Sequence, residues 1–319
     1  MKKSGEFDCC VVGAGSAGFA AACTARDMGK SVALVDGTGT LAGLCILRGC
    51  MPSKTLLRSA EIAHLTNEAP KLGVRPRSVE YDVPGIIERK RRIIADFAEY
   101  RVKGIESFPL FRGATRFASP EEVMVDDRVI RAHKFVIASG SVINEPLVPG
   151  LVETGYLDSD ALLDLERLPR SVIVLGGGAT ACELAQYLVR LGVKTTMLQR
   201  SAHVLSFEDA DIAEALQASL AKDGIDLRTR VQLLCAEKTG GGKRVIASIG
   251  GSEESFVAEE IFFALGRRPN VDGFAFEAAG VDYDRTGVKV DEHLQTSNPN
   301  IYAAGDVTGM WELVHVAVY

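Results

Sequence analysis

The sequence predicts an α/β fold that contains two copies of one supersecondary unit. Each copy runs from an apolar strand through a glycine-rich turn into a helix and then a second strand. The first copy occupies residues 7–36 and the second residues 171–200. A length of 319 residues accommodates two domains of ordinary size. Two Rossmann-like domains are therefore the expected architecture.

Composition excludes several classes of protein. The chain has 36 Lys and Arg against 42 Asp and Glu, so its net charge of −6 gives no basic field for a nucleic acid. Its longest uncharged stretch, residues 9–25, is interrupted by glycines, and the N-terminus lacks the pattern of a signal peptide. Seven cysteines at wide spacings do not form the framework of a secreted protein. We therefore expect a soluble, cytoplasmic protein with no membrane or nucleic-acid partner.

The first glycine turn, GAGSAG, is predicted to bind a dinucleotide. Its first glycine permits a tight turn, its second allows close approach of a pyrophosphate, and its third allows the helix to pack on the strand. The start of the helix offers free N–H groups and a partial positive charge. An acid that ends the second strand can accept the ribose hydroxyls. The candidate residues are Gly13, Gly15, Ser16, Ala17, Gly18 and Asp36.

The second turn, GGGATA, carries the same signal with alanine in the third position. The spacing that leads from Gly13 to Asp36 leads here from Gly176 to Gln199, and Arg200 follows. A neutral amide beside a cation removes the repulsion that would exclude a ribose 2′-phosphate. The sequence therefore favours NADPH over NADH. The candidate residues are Gly176, Gly178, Ala179, Thr180, Gln199 and Arg200.

The segments between the two units have mixed character. Helical periodicity extends over residues 53–108, and four short strands are expected within residues 113–142. A helix is expected near residues 209–223 and a strand over 259–265.

Two cysteines stand five residues apart in the segment LAGLCILRGCMPSK. In an ideal helix Cys45 and Cys50 would lie roughly 8–9 Å apart, beyond the roughly 4.4–6.8 Å between Cα atoms that a disulfide tolerates. A bridge needs a distorted turn, for which Gly49 supplies a permissive backbone, and Pro52 suits the start of the next helix. The pair is either a reducible, redox-active disulfide or two buried thiols.

Several further motifs carry a resemblance to a known family. They are the Cys45–Cys50 pair followed by Pro-Ser-Lys, VIASGS at 136–141, ALGRRPN at 264–270 and TSNPNIYAAGD at 296–306. In this order the chain resembles the flavoprotein disulfide reductases, the group of dihydrolipoamide dehydrogenase, glutathione reductase and mercuric reductase.

The resemblance implies a hydride path from NADPH or NADH through FAD to a Cys45–Cys50 disulfide. Cys45 would attack the substrate, Cys50 would lie beside the flavin, and Lys54 would approach flavin N5 while paired with Glu183. The other residues that the resemblance assigns to FAD are Gly43, Ala114, Ser139, Gly140, Gly305, Asp306 and Val314. Gly266 joins the residues assigned to the nicotinamide nucleotide. No metal site is expected.

The resemblance also implies a domain organisation. Residues 1–150 and 265–319 would form the FAD-binding domain, with the NAD(P)-binding domain, residues 151–264, inserted between them. The family's C-terminal interface domain, which supplies a thiol-activating His-Glu pair across a homodimer, has no counterpart in the 319 residues. We therefore expect a fragment of a longer, homodimeric protein with impaired dithiol turnover, and leave open whether the fragment is monomeric.

Departures from the family pattern leave the acceptor open. Ala42, Leu44, Leu47 and Arg48 stand where the family has Gly, Thr, Asn and Val. A small-molecule or protein-borne disulfide is the expected acceptor, with mercuric-reductase-like metal ion reduction as an alternative. Another alternative is an FAD-binding module that works through partners without turnover.

Overall fold

The chain divides into two compact units. The computed structural model describes residues 2–319, with side chains from residue 5 onward. By its contacts, the first unit comprises the chain up to Gly49 together with residues 94–143 and 267–319, and the second comprises residues 50–93 and 144–266. Each unit contains one of the two glycine turns. Residues 50–93, expected in the first domain, are grouped by most of their contacts with the second unit.

Strands are numbered in chain order. They are β1 (Lys2–Val12), β2 (Val32–Asp36), β3 (Leu110–Arg112), β4 (Thr115–Ser119), β5 (Glu122–Val125), β6 (Arg128–Ile137), β7 (Ser141–Ile143), β8 (Ser171–Leu175), β9 (Lys194–Leu198), β10 (Asp226–Arg228), β11 (Val231–Thr239), β12 (Gly242–Ile249), β13 (Ser252–Ala258), β14 (Glu260–Phe263), β15 (Arg267–Pro269), β16 (Tyr283–Asp284), β17 (Gly287–Val288) and β18 (Ile301–Ala303). Residues 128–137, expected as two strands, form the single strand β6.

Helices are numbered in the same way. They are α1 (Ser16–Asp27), α2 (Leu44–Leu47), α3 (Cys50–Glu68), α4 (Val83–Glu106), α5 (Leu151–Thr154), α6 (Ser159–Leu162), α7 (Ala179–Arg190), α8 (Ala210–Lys222) and α9 (Val314–Val318), and 3-10 turns occur at Ala69–Leu72, Phe276–Ala279 and Asp306–Thr308. Among the helices of residues 2–319, none has the length and apolar character needed to cross a membrane.

The first unit is organised by a mixed sheet with the strand order β3-β2-β1-β6-β5-β4. Strands β1, β2, β3 and β6 run parallel, and β18 pairs in parallel with the carboxyl-terminal part of β6. The amino-terminal part of β6 instead pairs antiparallel with β5. The chain leaves β1 toward β2 and β3 on one side, whereas β6 lies on the other side. The carboxyl ends of β1 and β6 therefore form the switch point at which such sheets bind ligands.

Both faces of the central strands of this sheet are buried. Cys10 and Val12 of β1 belong to one apolar cluster, and the alternate residues Cys9 and Val11 belong to another. Strand β2 divides between the same two clusters. This accounts for the nearly continuous apolar runs of these strands, since a parallel sheet covered on both faces has no polar side.

The second unit repeats the arrangement on a smaller scale. Its parallel sheet has the order β10-β9-β8-β14, and strands β11, β12 and β13 form a separate antiparallel sheet. Here β8 is the first strand of the nucleotide-binding motif, and the switch point lies between the carboxyl ends of β8 and β14. Helix α3 packs on α7, and both contribute to one large core cluster with α8.

A buried carboxylate fixes the position of α7 in this unit. Asp223, at the end of α8, accepts hydrogen bonds from Gln186 Nε2 at 2.8 Å and Arg190 Nε at 2.9 Å. The side chains of Asp223 and Arg190 are only 5% and 17% exposed. Removing one partner of such a pair leaves a buried charge without compensation.

We therefore expect Asp223→Ala to lower the free energy of unfolding by about 3–5 kcal/mol, because Arg190 is left buried and unpaired. Asp226→Ala is the matched control, because Asp226 pairs with Arg228 at the surface and such pairs contribute about 1 kcal/mol or less. Urea unfolding of both variants measures the difference. Equal losses would contradict the structural role of Asp223.

Candidate functional site

The three glycines of the first turn lack a side chain for different structural reasons. A Cβ on Gly13, whose φ is +106°, would lie 2.2 Å from the carbonyl oxygen of Ala138 at the end of β6, and a Cβ on Gly18 would lie 1.8 Å from Gly13 O. A Cβ on Gly15 would meet no atom within 4 Å. Gly13 and Gly18 are therefore required by packing of the protein itself. Gly15 instead keeps the surface clear, as a closely approaching pyrophosphate requires.

The start of α1 is suited to an anion. No side chain caps this helix, and its first turn contains no acidic residue. Its N–H groups and the positive end of its dipole are consequently available to a phosphate. Ser16 and Ala17, both expected at the cofactor, lie in this first turn.

Asp36 ends β2 at the same edge of the sheet. It is half-buried, and its Oδ1 accepts a hydrogen bond from Gly37 N at 2.9 Å. Burial raises the pKa of the Asp36 carboxyl, while Gly37 and the nearby Arg112 oppose that rise. A carboxylate in this position can accept the hydroxyl groups of an adenosine ribose.

Two other glycines predicted at the FAD site converge on the start of α1. A Cβ on Gly43 would lie 2.8 Å from the Cα of Gly15, and a Cβ on Gly305 would lie 3.0 Å from the Cβ of Ala17. Helix α9, which begins at Val314, packs against α1. The structure thus brings together three segments that are distant in the sequence around one helix start.

A chain of hydrogen bonds that the sequence did not predict positions Asp306, the residue after Gly305. Asp306 Oδ2 accepts a bond from Ser141 Oγ at 2.7 Å, and Ser141 in turn accepts bonds from Arg267 Nε at 3.0 Å and, through its carbonyl, from Nη2 at 2.8 Å. Strand pairing of β7 with β15 aligns these residues. No local sequence signal connects them.

Ser139 and Gly140 follow β6 and are held by Asn270. Ser139 Oγ donates to Asn270 O at 2.7 Å, and Asn270 N donates to Gly140 O at 2.9 Å. Ala114, also predicted at the FAD site, has both backbone groups bonded to Asp126: its N–H donates to Oδ1, and its carbonyl accepts from Asp126 N.

The second turn repeats the geometry of the first. A Cβ on Gly176, whose φ is +111°, would lie 2.4 Å from Ala264 O at the end of β14, whereas a Cβ on Gly178 would meet no atom within 4 Å. Ala179 and Thr180 are exposed in the first turn of α7, which has no side-chain cap and no acid in its first turn. This helix start is consequently open to a phosphate as well.

Gln199 and Arg200 follow β9 at the same edge. Gln199 is buried, whereas Arg200 is exposed. Gly266, the last residue predicted for this site, accepts a hydrogen bond from Asn144 N at 3.2 Å through its carbonyl.

Cys45 and Cys50 are joined by a disulfide. Helix α2, which contains Cys45, ends at Leu47, and α3 begins at Cys50. The turn between them depends on Gly49, because a Cβ there would lie 2.9 Å from the Cα of Cys45. Close approach, rather than a left-handed backbone, is therefore the reason for glycine at this position.

An ion pair lies one turn further along α3. Lys54 Nζ contacts Glu183 Oε1 at 2.6 Å and Oε2 at 2.8 Å, so both carboxylate oxygens of this α7 residue face the ammonium group. Buried Ser53 lies beside them, with its Oγ 3.4 Å from Glu183 Oε2. The pairing that the resemblance implied is present within the second unit.

The other cysteines have a different environment. Five are free in the described chain, and burial raises the pKa of Cys9 to about 11 and that of Cys182 to about 12. These two thiols stay protonated near neutral pH and are poor nucleophiles. Within residues 5–319 there is no group of three or more His, Cys, Asp or Glu side chains that could hold a metal ion.

Two nucleotide-binding units and a disulfide at a helix start define a dithiol-type flavoprotein. Comparison with known proteins identifies the family: a model for pyridine nucleotide-disulphide oxidoreductases matches residues 7–319. The chain belongs to this family, whose members are enzymes that use FAD with NADH or NADPH. The uncapped starts of α1 and α7 suit the phosphate groups of these cofactors, and Asp36 suits a ribose.

Individual relatives include two kinds of enzyme. The chain is 35% identical to a mercuric reductase of Staphylococcus aureus, over 100% of its own length and 59% of that protein, and 33% identical to a dihydrolipoyl dehydrogenase of Bacillus subtilis, over 97% and 69%. It also resembles the solved Cu(II) complex of the flavoprotein disulfide reductase RclA from Escherichia coli, with a TM-score of 0.84, 26% identity and coverage of 100% and 69%. The chain thus spans little more than half the length of the mercuric reductases that it matches.

The glycines of the first turn yield a direct test of the FAD site. Gly15→Ala is expected to leave the free energy of unfolding within about 1 kcal/mol but to weaken FAD binding about tenfold or more, because the methyl group enters the space kept clear for the pyrophosphate. Gly18→Ala should instead cost about 3 kcal/mol of stability, since its methyl group overlaps Gly13 O. Thermal unfolding and FAD fluorescence titration separate the two effects. Weakened folding in Gly15→Ala would contradict this assignment.

Ala42 gives a second prediction, because it is buried with a φ of +108°, where the family has glycine. Such backbone strain costs about 1–3 kcal/mol, so Ala42→Gly should stabilise the protein by about 0.5–2 kcal/mol after the entropic cost of glycine. Ala185→Gly in α7 is the control and should destabilise it, since Ala185 is buried in a regular helix. Similar losses in both variants, measured by urea unfolding, would refute the strain at Ala42.

Proposed function

We propose that the chain is the nucleotide-binding part of an oxidoreductase that transfers electrons from NADPH, through FAD, to the Cys45–Cys50 disulfide and then to an external acceptor. The observation that carries this proposal is the disulfide at the start of α3, followed one turn later by the Lys54–Glu183 pair. The chain spans 59% of the length of a mercuric reductase relative, so the acceptor and the complete activity belong to the proposal.

When bound, FAD supplies a two-electron carrier between the nicotinamide and the disulfide. The first unit would bind it through the start of α1, Asp36 and Asp306, and the second unit would bind NADPH through the start of α7. Lys54 would approach the flavin N5, with its ammonium group held by Glu183.

The disulfide chemistry is balanced by one hydride equivalent, which is two electrons and one proton, and it leaves one thiol and one thiolate. Two electrons break the Cys45–Cys50 bond and give two sulfurs, one of which remains a thiolate. Cys45 would attack the acceptor disulfide and form a mixed disulfide, releasing one acceptor thiolate. Cys50 would then attack Cys45, restore the protein disulfide and release the second acceptor sulfur, and the proton of the dithiol would leave on one of the two acceptor thiols.

NADPH is preferred because Gln199 carries no charge and Arg200 is exposed beside it. We further propose that the protein is cytoplasmic, since free cysteines suit a reducing compartment, and that it is a homodimer, as the resemblance implies. The domain limits 1–150, 151–264 and 265–319 and the individual cofactor contacts belong to the same proposal.

A second class of acceptor is a soft divalent metal ion. The mercuric reductases among the relatives and the Cu(II) complex of RclA favour this candidate. A dithiol provides the soft sulfur ligands that such ions prefer. Re-forming the Cys45–Cys50 disulfide releases two electrons, which would reduce one Hg(II) to the element or two Cu(II) to Cu(I).

The proposal is tested by counting electrons in the FAD-loaded protein without oxygen. The wild type is expected to consume about two equivalents of NADPH per FAD, one for the flavin and one for the disulfide, while Cys45→Ser and Cys50→Ser consume about one. A long-wavelength absorbance band should appear in Cys45→Ser, which retains the flavin-side thiolate, and be absent from Cys50→Ser.

Cys23→Ser serves as the control, because Cys23 is a free cysteine of α1. It should titrate as the wild type does. A wild type that consumes one equivalent would exclude the disulfide from the electron path. Reduction of FAD without turnover of any disulfide or metal acceptor by the full-length protein would favour a non-catalytic binding module.

A further inference from the structure

The buried side chain of Gln199 is committed to its own loop. Its Oε1 accepts a hydrogen bond from Arg200 N at 3.1 Å, and its Nε2 donates to His203 O at 3.1 Å. Its side chain also packs on the glycine turn, because a Cβ on Gly177 would lie 2.9 Å from Gln199 Cδ. Gln199 therefore holds the loop after β9 in place.

The connection between β10 and β11 is hydrogen-bonded to the same loop. Gln199 N donates to Arg228 O at 2.8 Å, Val231 N donates to Gln199 O at 3.0 Å, and Arg230 N donates to Ser201 O at 3.0 Å. These bonds place residues 228–231 beside residues 199–201. Both segments follow the carboxyl ends of parallel strands, which is the edge where ligands of such sheets bind.

Arg230 has an uncommon backbone conformation. Its φ is +58°, in the left-handed region, and the residue is exposed. An arginine in this region costs about 1 kcal/mol or more, and such outliers concentrate at functional positions. Asparagine or glycine would satisfy the turn at lower cost.

Three arginines share this edge, and their charges differ in availability. The Arg228 guanidinium donates to both carboxylate oxygens of Asp226, at 2.9 and 3.4 Å, and Asp226 raises the pKa of Arg228. Within residues 5–319 the guanidinium groups of Arg200 and Arg230 have no carboxylate or hydrogen-bond acceptor. Two exposed cations are thus left without a protein partner on adjacent segments.

We propose that Arg230 acts with Arg200 as a clamp for the 2′-phosphate of NADPH, and that Arg230 is the residue that determines preference for NADPH. The inference rests on the proposed function of the second unit and adds to it a residue from a different strand connection. Two guanidinium groups can form several charge-assisted hydrogen bonds with one phosphate dianion. NADH has a hydroxyl in place of this phosphate, so it leaves both cations in solvent and gains nothing from them.

The test uses the FAD-loaded chain and two probes, adenosine 2′,5′-bisphosphate and 5′-AMP. Arg230→Asn removes the guanidinium, while asparagine tolerates the left-handed backbone. Arg228→Gln is the matched control. It removes the same charge two residues away from Arg230, but the Arg228 guanidinium is already paired with Asp226. Calorimetry should show that Arg230→Asn weakens binding of the bisphosphate about tenfold or more and changes binding of 5′-AMP by no more than about twofold. Arg228→Gln should leave the affinity for both probes unchanged.

Steady-state reduction of a generic acceptor adds a second readout. Arg230→Asn should raise the KM for NADPH and leave kcat and the KM for NADH unchanged, because the phosphate lies away from the reacting atoms. Equal weakening of both probes, or equal effects of the two variants, would overturn the clamp. Failure of the folded wild type to bind either probe would instead overturn the proposed nucleotide site of the second unit.

Discussion

The two nucleotide-binding units depend on one steric constraint, which is the contact between a turn and the carbonyl group at the end of the neighbouring strand. Gly13 faces Ala138 O in the first unit, and Gly176 faces Ala264 O in the second. A Cβ atom would lie 2.2 Å from that oxygen at Gly13 and 2.4 Å from it at Gly176. A side chain at either position would displace the turn from the switch point. Because each turn lies so close to its own sheet, α1 and α7 each begin at the carboxyl edge of that sheet. Gly15 and Gly178 have no side chain there, so the N–H groups at the two helix starts stay accessible.

The disulfide and the Lys54–Glu183 ion pair both depend on α3. This helix begins at Cys50 and presents Lys54 one turn later, so the helical period fixes the distance between the disulfide and the cation. Glu183 holds that cation from α7, and Asp223 anchors α7 through Gln186 and Arg190.

Much of the site was predictable because its signals are local. The glycine turns, Asp36 and the Cys45–Cys50 pair each lie within a segment in which residue spacing and backbone geometry decide the conformation. Other features depend on pairing between distant strands. The hydrogen bonds from Arg267 through Ser141 to Asp306 exist because β15 pairs with β7, and the bonds of Ala114 depend on Asp126 across a hairpin. Gly49 was expected for its backbone freedom, yet its role is close approach to Cys45.

By itself the sequence determined that the protein contains two glycine-turn units, because strand, turn and helix signals act over a few residues. It left the Cys45–Cys50 pair open between a disulfide and two thiols. The tertiary structure alone decided which side chains remain available to a ligand. Gln199 was a candidate for the ribose by its spacing, and folding buries it with both ends of its amide hydrogen-bonded within the loop, whereas three backbone bonds place residues 228–231 beside that loop. Availability depends on the partners that folding brings to a side chain, and those partners come from residues far apart in the sequence.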